Sequence, residues 1–408
     1  MKWKLLAGLF IMFLPWVYAE ETVDADFRIV HPDQVVASTV GGEIVEAQWR
    51  RTVANGDSIG LHRYRQLNQT PVGALLYLPG TNMNGVLKTA DERSNLWLFL
   101  AARGIEVFTL DYRTHFIAHD FAGDLSFMQG WTMEAFVGDA AIAAAKIRQM
   151  LPELPLFVGG FSRGASYAYA LAGQVKVDGL IALDGSFKRI PSDHFDLAAA
   201  LQQFDEEGQY ASVLSRRGYT SRTEMMQRVM DDATGPSMDE RYESAAEHLS
   251  EVLFNAWGPG VLANTRANVS SIEVLAREMI QYDWFFPKIQ NIEGRSIASQ
   301  RDDPNTFIDD HFGAMEIPVL YFGAGQFGAE SLLGGIYSAS RSGSKDVTVH
   351  VLENYGHLDV LFAHNAPEDV YQVIVDWITE KSLQPDESKP NLRYSSQTFQ
   401  FQRSARRF

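Results

Sequence analysis

The sequence contains no cysteine. That excludes a thiol nucleophile, a thiolate metal site, a lipidated cysteine and any disulfide, so the fold rests on core packing alone. Long apolar runs are scarce as well. The stretch Leu5–Val17 reads as one, but it is short for a bilayer span, and no later stretch is long enough to cross a membrane. Positive charge is in deficit: 35 Lys and Arg stand against 51 Asp and Glu, a formal net charge of −16. So acidic a chain disfavours nucleic acid and anionic membrane surfaces as partners. There is no internal repeat, and no signal of oligomeric state.

What is present divides into segments. Met1-Lys2-Trp3-Lys4 is basic, Leu5–Val17 is apolar, and Val17-Tyr18-Ala19 offers a small-residue cleavage site before Glu20. This order predicts a secretory signal peptide over residues 1–19. The expected mature chain is secreted or periplasmic, with no transmembrane anchor. Beyond it, 46% hydrophobic and 21% charged residues describe a globular chain, not a disordered one. Short apolar runs at 74–78, 105–110, 156–160 and 180–183 predict buried strands, and 90–103, 133–150 and 163–173 carry helical spacing. Strands alternating with helices indicate a parallel sheet covered on both faces. Upstream, 42–51 and 58–66 alternate polar and apolar residues, as antiparallel edge strands do. The alternation stops after Asp184. From 187 to 312 the pattern is acidic and mainly helical, then strand signals resume at 317–323 and 347–352 with a helix over 368–381. The expected organisation is a core of residues 20–186 and 313–381, a helical cap or lid over 187–312, and a basic, extended or disordered tail over 382–408.

The chemistry is carried first by Gly160-Phe161-Ser162-Arg163-Gly164. The pattern G-x-S-x-G, after the strand-like Leu156-Phe157-Val158 and before a small-residue helix, predicts a nucleophile elbow with Ser162 at its apex. Such a turn tolerates only small residues two places before and after the serine, and both are glycine. A serine hydroxyl is a weak nucleophile until a histidine takes its proton, and that histidine needs an acid to fix its tautomer and stabilise its cation. Of the ten histidines, His357 stands just after the last predicted strand and before the final helix. His115, His119 and Asp120 lie close together without a convincing further ligand, so neither a metal nor another cofactor is expected.

The segment Leu352–Tyr371, with Asn354-Tyr355-Gly356-His357-Leu358-Asp359 at its heart, resembles the C-terminal stretch of the α/β-hydrolase superfamily, its acid-lipase-like branch in particular. The likeness covers roughly 40–186 and 313–381. It implies an α/β-hydrolase fold, a mostly parallel central sheet flanked by helices, here with a large, mainly helical cap insertion. It also implies a triad in the chain order serine, acid, histidine. Most members place the acid just after the strand predicted at 317–323, where this chain has Gln326. Two carboxylates remain as candidates: Asp184, at the end of the preceding strand, and Glu330 as the alternative. The family further implies an oxyanion hole made by the backbone N–H groups of Arg163 and Thr81, with Asn82 as a further candidate, in the loop Leu78-Pro79-Gly80-Thr81-Asn82. Leu110–His115 resembles a supporting Asp-x-Arg-Gly-His segment. The implied activity is serine hydrolysis of carboxylic esters through an acyl-enzyme, on a small-molecule or lipid-like substrate. An amidase or peptidase using the same triad, or a non-catalytic binding protein of this fold, is the alternative. The aromatic run Tyr282–Pro287 reads either as a substrate channel or as the core of the cap.

Overall fold

The computed structural model describes residues 26–39, 41–190, 195–213, 216–256, 269–299 and 307–383. The expected signal peptide lies outside the described residues, as does the expected tail from 384 onward. Strands β1 (Arg28–Thr39), β2 (Gly42–Thr52), β3 (Ser58–Gln66), β4 (Gly73–Leu78), β5 (Ile105–Asp111), β6 (Leu156–Phe161) and β7 (Gly179–Leu183) come first. The short strands β8 (Ala211–Val213) and β9 (Phe285–Pro287) pair with each other, and β10 (Val319–Ala324) and β11 (Val347–Leu352) return to the main sheet. That sheet has nine strands in the order β1-β2-β3-β5-β4-β6-β7-β10-β11. The first three joins are antiparallel and the rest parallel.

Composition explains this arrangement. Strands β4, β5, β6, β7 and β10 are buried along their whole length, which is why they read as unbroken apolar runs. Helices cover both faces. α1 (Leu96–Ala101) packs on one face; α2 (Met133–Met150) and α3 (Arg163–Ala172) pack on the other. Phe157 and Phe322, 0% exposed and on opposite sides of β7 in strand order, each contribute roughly 1.5–3 kcal/mol by burial.

Between β7 and β10 run α4 (Leu197–Glu207), α5 (Arg216–Asp232), α6 (Ala245–Ala256), α7 (Ile272–Met279) and α8 (Lys288–Ser299). The chain then re-enters the sheet, followed by α9 (Ala329–Arg341), α10 (Asp359–Phe362) and α11 (Gln372–Leu383). The helical content expected of 187–312 is present among its described residues, with β8 and β9 in addition.

Three local differences from the sequence reading have physical causes. β1 carried no period-two signal: it is an outer strand with most side chains exposed, register shifts against β2 and Pro32 within it, a combination tolerated only at an edge. The helix expected over 90–103 is broken into a 3-10 turn at Glu92–Ser94 and α1, because Asn95 caps α1 by accepting from the N–H of Leu98. The final helix starts as a π turn at Pro367–Tyr371 and runs as α11 to Leu383, two residues into the stretch expected to be tail.

Candidate active site

Ser162 sits between β6 and α3 with φ 55° and ψ −119°, a left-handed conformation costly for any residue with a Cβ. Close packing holds it there. A Cβ on Gly160 would lie 2.2 Å from the carbonyl of Gly164, and one on Gly164 would lie 1.9 Å from the carbonyl oxygen of Leu78. No side chain fits at either place. Gly185, just after β7, is equally confined: a Cβ there would meet the Ser162 carbonyl oxygen at 2.3 Å. The N–H of Ser162 donates to the carbonyl of Leu183 at 2.9 Å, which fastens the elbow to the end of β7.

Asp184 follows directly on β7, also at positive φ. Its Oδ2 lies 2.5 Å from Nδ1 of His357, and its Oδ1 accepts the backbone N–H of Ala324 at 2.9 Å. The end of β10 therefore supplies a donor that orients this carboxylate. Gln326, which the resemblance places where an acid is expected, is exposed and donates through Nε2 to the carbonyl of Glu353. Glu330 is brought near the same cavity but not to His357; its carboxylate pairs with Arg189 at 2.9 Å, with a side chain 84% exposed.

Sequence reasoning missed the packing of His357. Its ring is stacked between Phe161, 4.5 Å away between centroids, and Phe327, 4.2 Å away. Two aromatic faces and one carboxylate leave the imidazole little freedom to turn. Phe161 was visible as the x of the elbow, but Phe327 carried no sequence signal. The loop behind His357 is held by Asp359, 0% exposed, whose carboxylate accepts from the N–H of Gly356 and from the hydroxyl of Ser270.

The loop after β4 is fixed from several sides. The Tyr112 hydroxyl donates to the carbonyl of Pro79 at 3.0 Å, and the N–H of Gly85 donates to Asp111 at 2.8 Å. Thr81 lines the same cavity as Ser162 and His357. Among the described residues, no protein group accepts the backbone N–H of Thr81 or of Arg163, the first residue of α3. Asn82 does not line this cavity. Its side-chain amide donates to the carbonyl of Asp283, and its own carbonyl accepts from the N–H of that residue.

The Leu110–His115 segment forms buried structural links. His62 bridges Glu46 and Asp111 at 2.7 Å on each side. Burial opposes its charge, but the two carboxylates raise its pKa to about 10. Arg113 binds Asp139 through two nitrogens and Asp57 through a third. His115 lies 3.0 Å from Asp283 and His119 stacks on Trp284; among the described residues no three such side chains form a metal-binding group.

The segment between β7 and β10 is tied to this side of the sheet by buried polar groups. Glu278 accepts from the N–H of Lys88 and Thr89, Asn84 donates to Gln281 and Asp283, and Glu293 accepts the N–H of Met133 at 2.7 Å. Residues of α8, among them Gly294 and Arg295, and Phe195 line one cavity of 910 Å³ with Ser162, Asp184 and His357. The aromatic run is core instead: Tyr282, Phe285 and Phe286 are buried and none of them lines that cavity.

No protein-family model and no curated protein sequence matches the chain. Solved structures do. A crystal structure from Sulfolobus solfataricus with a provisional lipase assignment shares 20% identity over 87% of this chain and 99% of its own, with a TM-score of 0.66. A monoacylglycerol lipase from Paleococcus ferrophilus shares 14% identity over 79% and 98%, TM-score 0.49. A haloalkane dehalogenase variant from Bradyrhizobium elkanii shares 15% over 82% and 97%, TM-score 0.45. The likeness is one of architecture: this chain has the α/β-hydrolase fold.

Proposed function

We propose that this protein is a serine hydrolase that cleaves carboxylic esters through an acyl-enzyme intermediate. The observation that supports this reading most is the contact between His357 Nδ1 and Asp184 Oδ2 at 2.5 Å, in a cavity that Ser162 also lines. In this reading Asp184 fixes the tautomer in which Nδ1 carries the proton and Nε2 is free to act as base. Ser162 Oγ attacks the ester carbonyl carbon while its proton passes to His357 Nε2. The C=O electron pair moves onto oxygen, where the unengaged N–H groups of Thr81 and Arg163 stabilise it. When the tetrahedral intermediate collapses, the C–O bond breaks and the leaving alcohol takes the proton from His357. Water then repeats the sequence on the acyl-enzyme, releasing the carboxylic acid and restoring Ser162 and neutral His357.

Asp184 is the acid in this proposal, and Glu330 is not, because an exposed carboxylate already paired with Arg189 has no contact with the imidazole. The helices between β7 and β10 act as a cap that limits access and excludes water, with α8 as the wall facing the nucleophile. Export to a secreted or periplasmic location, after cleavage near Ala19, belongs to the same proposal and rests on the N-terminal sequence.

A fluorophosphonate probe tests the central claim. It should label the wild-type protein covalently, with label lost in Ser162→Ala and slowed by several orders of magnitude in His357→Ala. Labelling that survives Ser162→Ala would remove Ser162 as nucleophile.

A further inference from the structure

The cavity is basic in an acidic protein. The chain carries a net charge of −16, yet Arg163, Arg189 and Arg295 line this cavity against only two carboxylates, Asp184 and Glu330. Both carboxylates are engaged, Asp184 with His357 and Glu330 with Arg189. Among the described residues, Arg163 and Arg295 make no ion pair with any carboxylate.

Arg163 is the more telling of the two. It follows the nucleophile directly, and its guanidinium is enclosed between α8 and α2. A Cβ on Gly294 would lie 2.0 Å from Nη1, so the α8 backbone rests on this group, and on the other side Nη1 stands 3.8 Å from the sulfur of Met133. Burial pushes its pKa down, with the Tyr167 hydroxyl and Glu293 acting the other way. Glu293 is a poor counter-ion: burial lifts its own pKa to about 7, and its Oε2 is taken by the N–H of Met133. Arg295 is exposed at the cavity and lies over the Phe195 ring at 4.9 Å. Arg163 is only part-buried, so its guanidinium remains open to the cavity, and a planar guanidinium recognises a carboxylate through paired hydrogen bonds.

We propose that the substrate of this cavity is an ester bearing a carboxylate, held by Arg163 and Arg295 while Ser162 acts on the ester bond. The proposal rests on the hydrolase reading and specifies its substrate class. A monoanion suits the site better than a dianion, since two unpaired guanidiniums face it beside the negative charge of Asp184. The Arg189–Glu330 pair, exposed on both sides, contributes no free cation.

Two matched pairs of esters test this on the intact protein. 4-Acetoxybenzoate against 4-acetoxybenzamide puts the charge on the alcohol side, and monomethyl adipate against methyl heptanoate puts it on the acyl side. The expected result is a kcat/KM preference of about tenfold or more for the anionic member of at least one pair, expressed in KM. That ratio should fall towards unity in Arg163→Gln and in Arg295→Gln. Inhibition of the wild type needs no variant: 4-hydroxybenzoate should compete at least about tenfold better than 4-hydroxybenzamide, and the advantage should shrink with added salt. Equal or faster cleavage of both neutral esters, with no inhibitory advantage for the carboxylate, would overturn the inference while leaving the hydrolase reading intact. Stronger competition by 4-hydroxyphenyl phosphate would overturn the carboxylate assignment. Absence of both ester cleavage and fluorophosphonate labelling would overturn the two readings together.

Discussion

In the proposed mechanism, replacing Asp184 by asparagine isolates the step in which the acid acts on the imidazole. The carboxylate has two separate duties in the structure: Oδ2 meets His357 Nδ1 at 2.5 Å, and Oδ1 accepts the N–H of Ala324 at 2.9 Å. The second contact decides what the variant does. Ala324 N–H can only donate, so the asparagine side chain must present its oxygen there and turn its NH₂ towards His357. An NH₂ group can only donate, which forces Nδ1 of His357 to accept and moves the ring proton to Nε2. The nitrogen proposed as the base then already carries a proton. If the proposed mechanism holds, loss of the correct tautomer together with loss of the charge that stabilises the imidazolium is worth roughly 10³–10⁴ in kcat, the scale known for this substitution in a triad protease, or about 4–5.5 kcal/mol of barrier. Shape is nearly unchanged, so the fold should persist and KM should move little. Glu330→Gln removes only an exposed pair with Arg189, and kcat on a short neutral p-nitrophenyl ester should stay within about threefold. Initial rates and circular dichroism on both variants decide the matter. An Asp184→Asn protein retaining more than about a tenth of wild-type kcat, or a Glu330→Gln protein falling as far, would refute the reasoning.

Further outcomes follow from the packing and from the N-terminus. Gly164→Ala should destabilise the protein by roughly 3 kcal/mol or more, because its Cβ would sit 1.9 Å from the carbonyl oxygen of Leu78 and neither backbone can yield; a melting temperature equal to wild type would contradict this. The mature protein should begin near Glu20 and be recovered outside the cytoplasm. Intact mass spectrometry of fractionated cells checks this, and a soluble cytoplasmic form retaining Met1–Ala19 would count against export.

Much of the core was legible because its strands are buried on both faces. β4, β5, β6, β7 and β10 had to be written as apolar runs, and runs bounded by turns and helices show in one dimension. β1 was not legible, because an exposed outer strand is under no such constraint. The serine position was legible for a steric reason. Gly160 and Gly164 have no room for a Cβ, so the pattern around Ser162 is a direct record of close packing.

The sequence by itself determined the residue types available, the alternating order of the core, the elbow and the loop that carries His357. It left the acid open between Asp184 and Glu330, since both follow strands that end at the same edge of the sheet. Tertiary structure decided which carboxylate meets the imidazole, through the placement of β7 between β6 and β10 and the Ala324 N–H that orients Asp184. It also decided that Phe161 and Phe327 enclose His357, and that arginines from α3 and α8 share one cavity with Ser162. The reason is common to all three. Local pattern records what each stretch must bury, whereas a site is assembled from side chains far apart in sequence whose proximity depends on how the sheet is ordered and where the insertion returns to it.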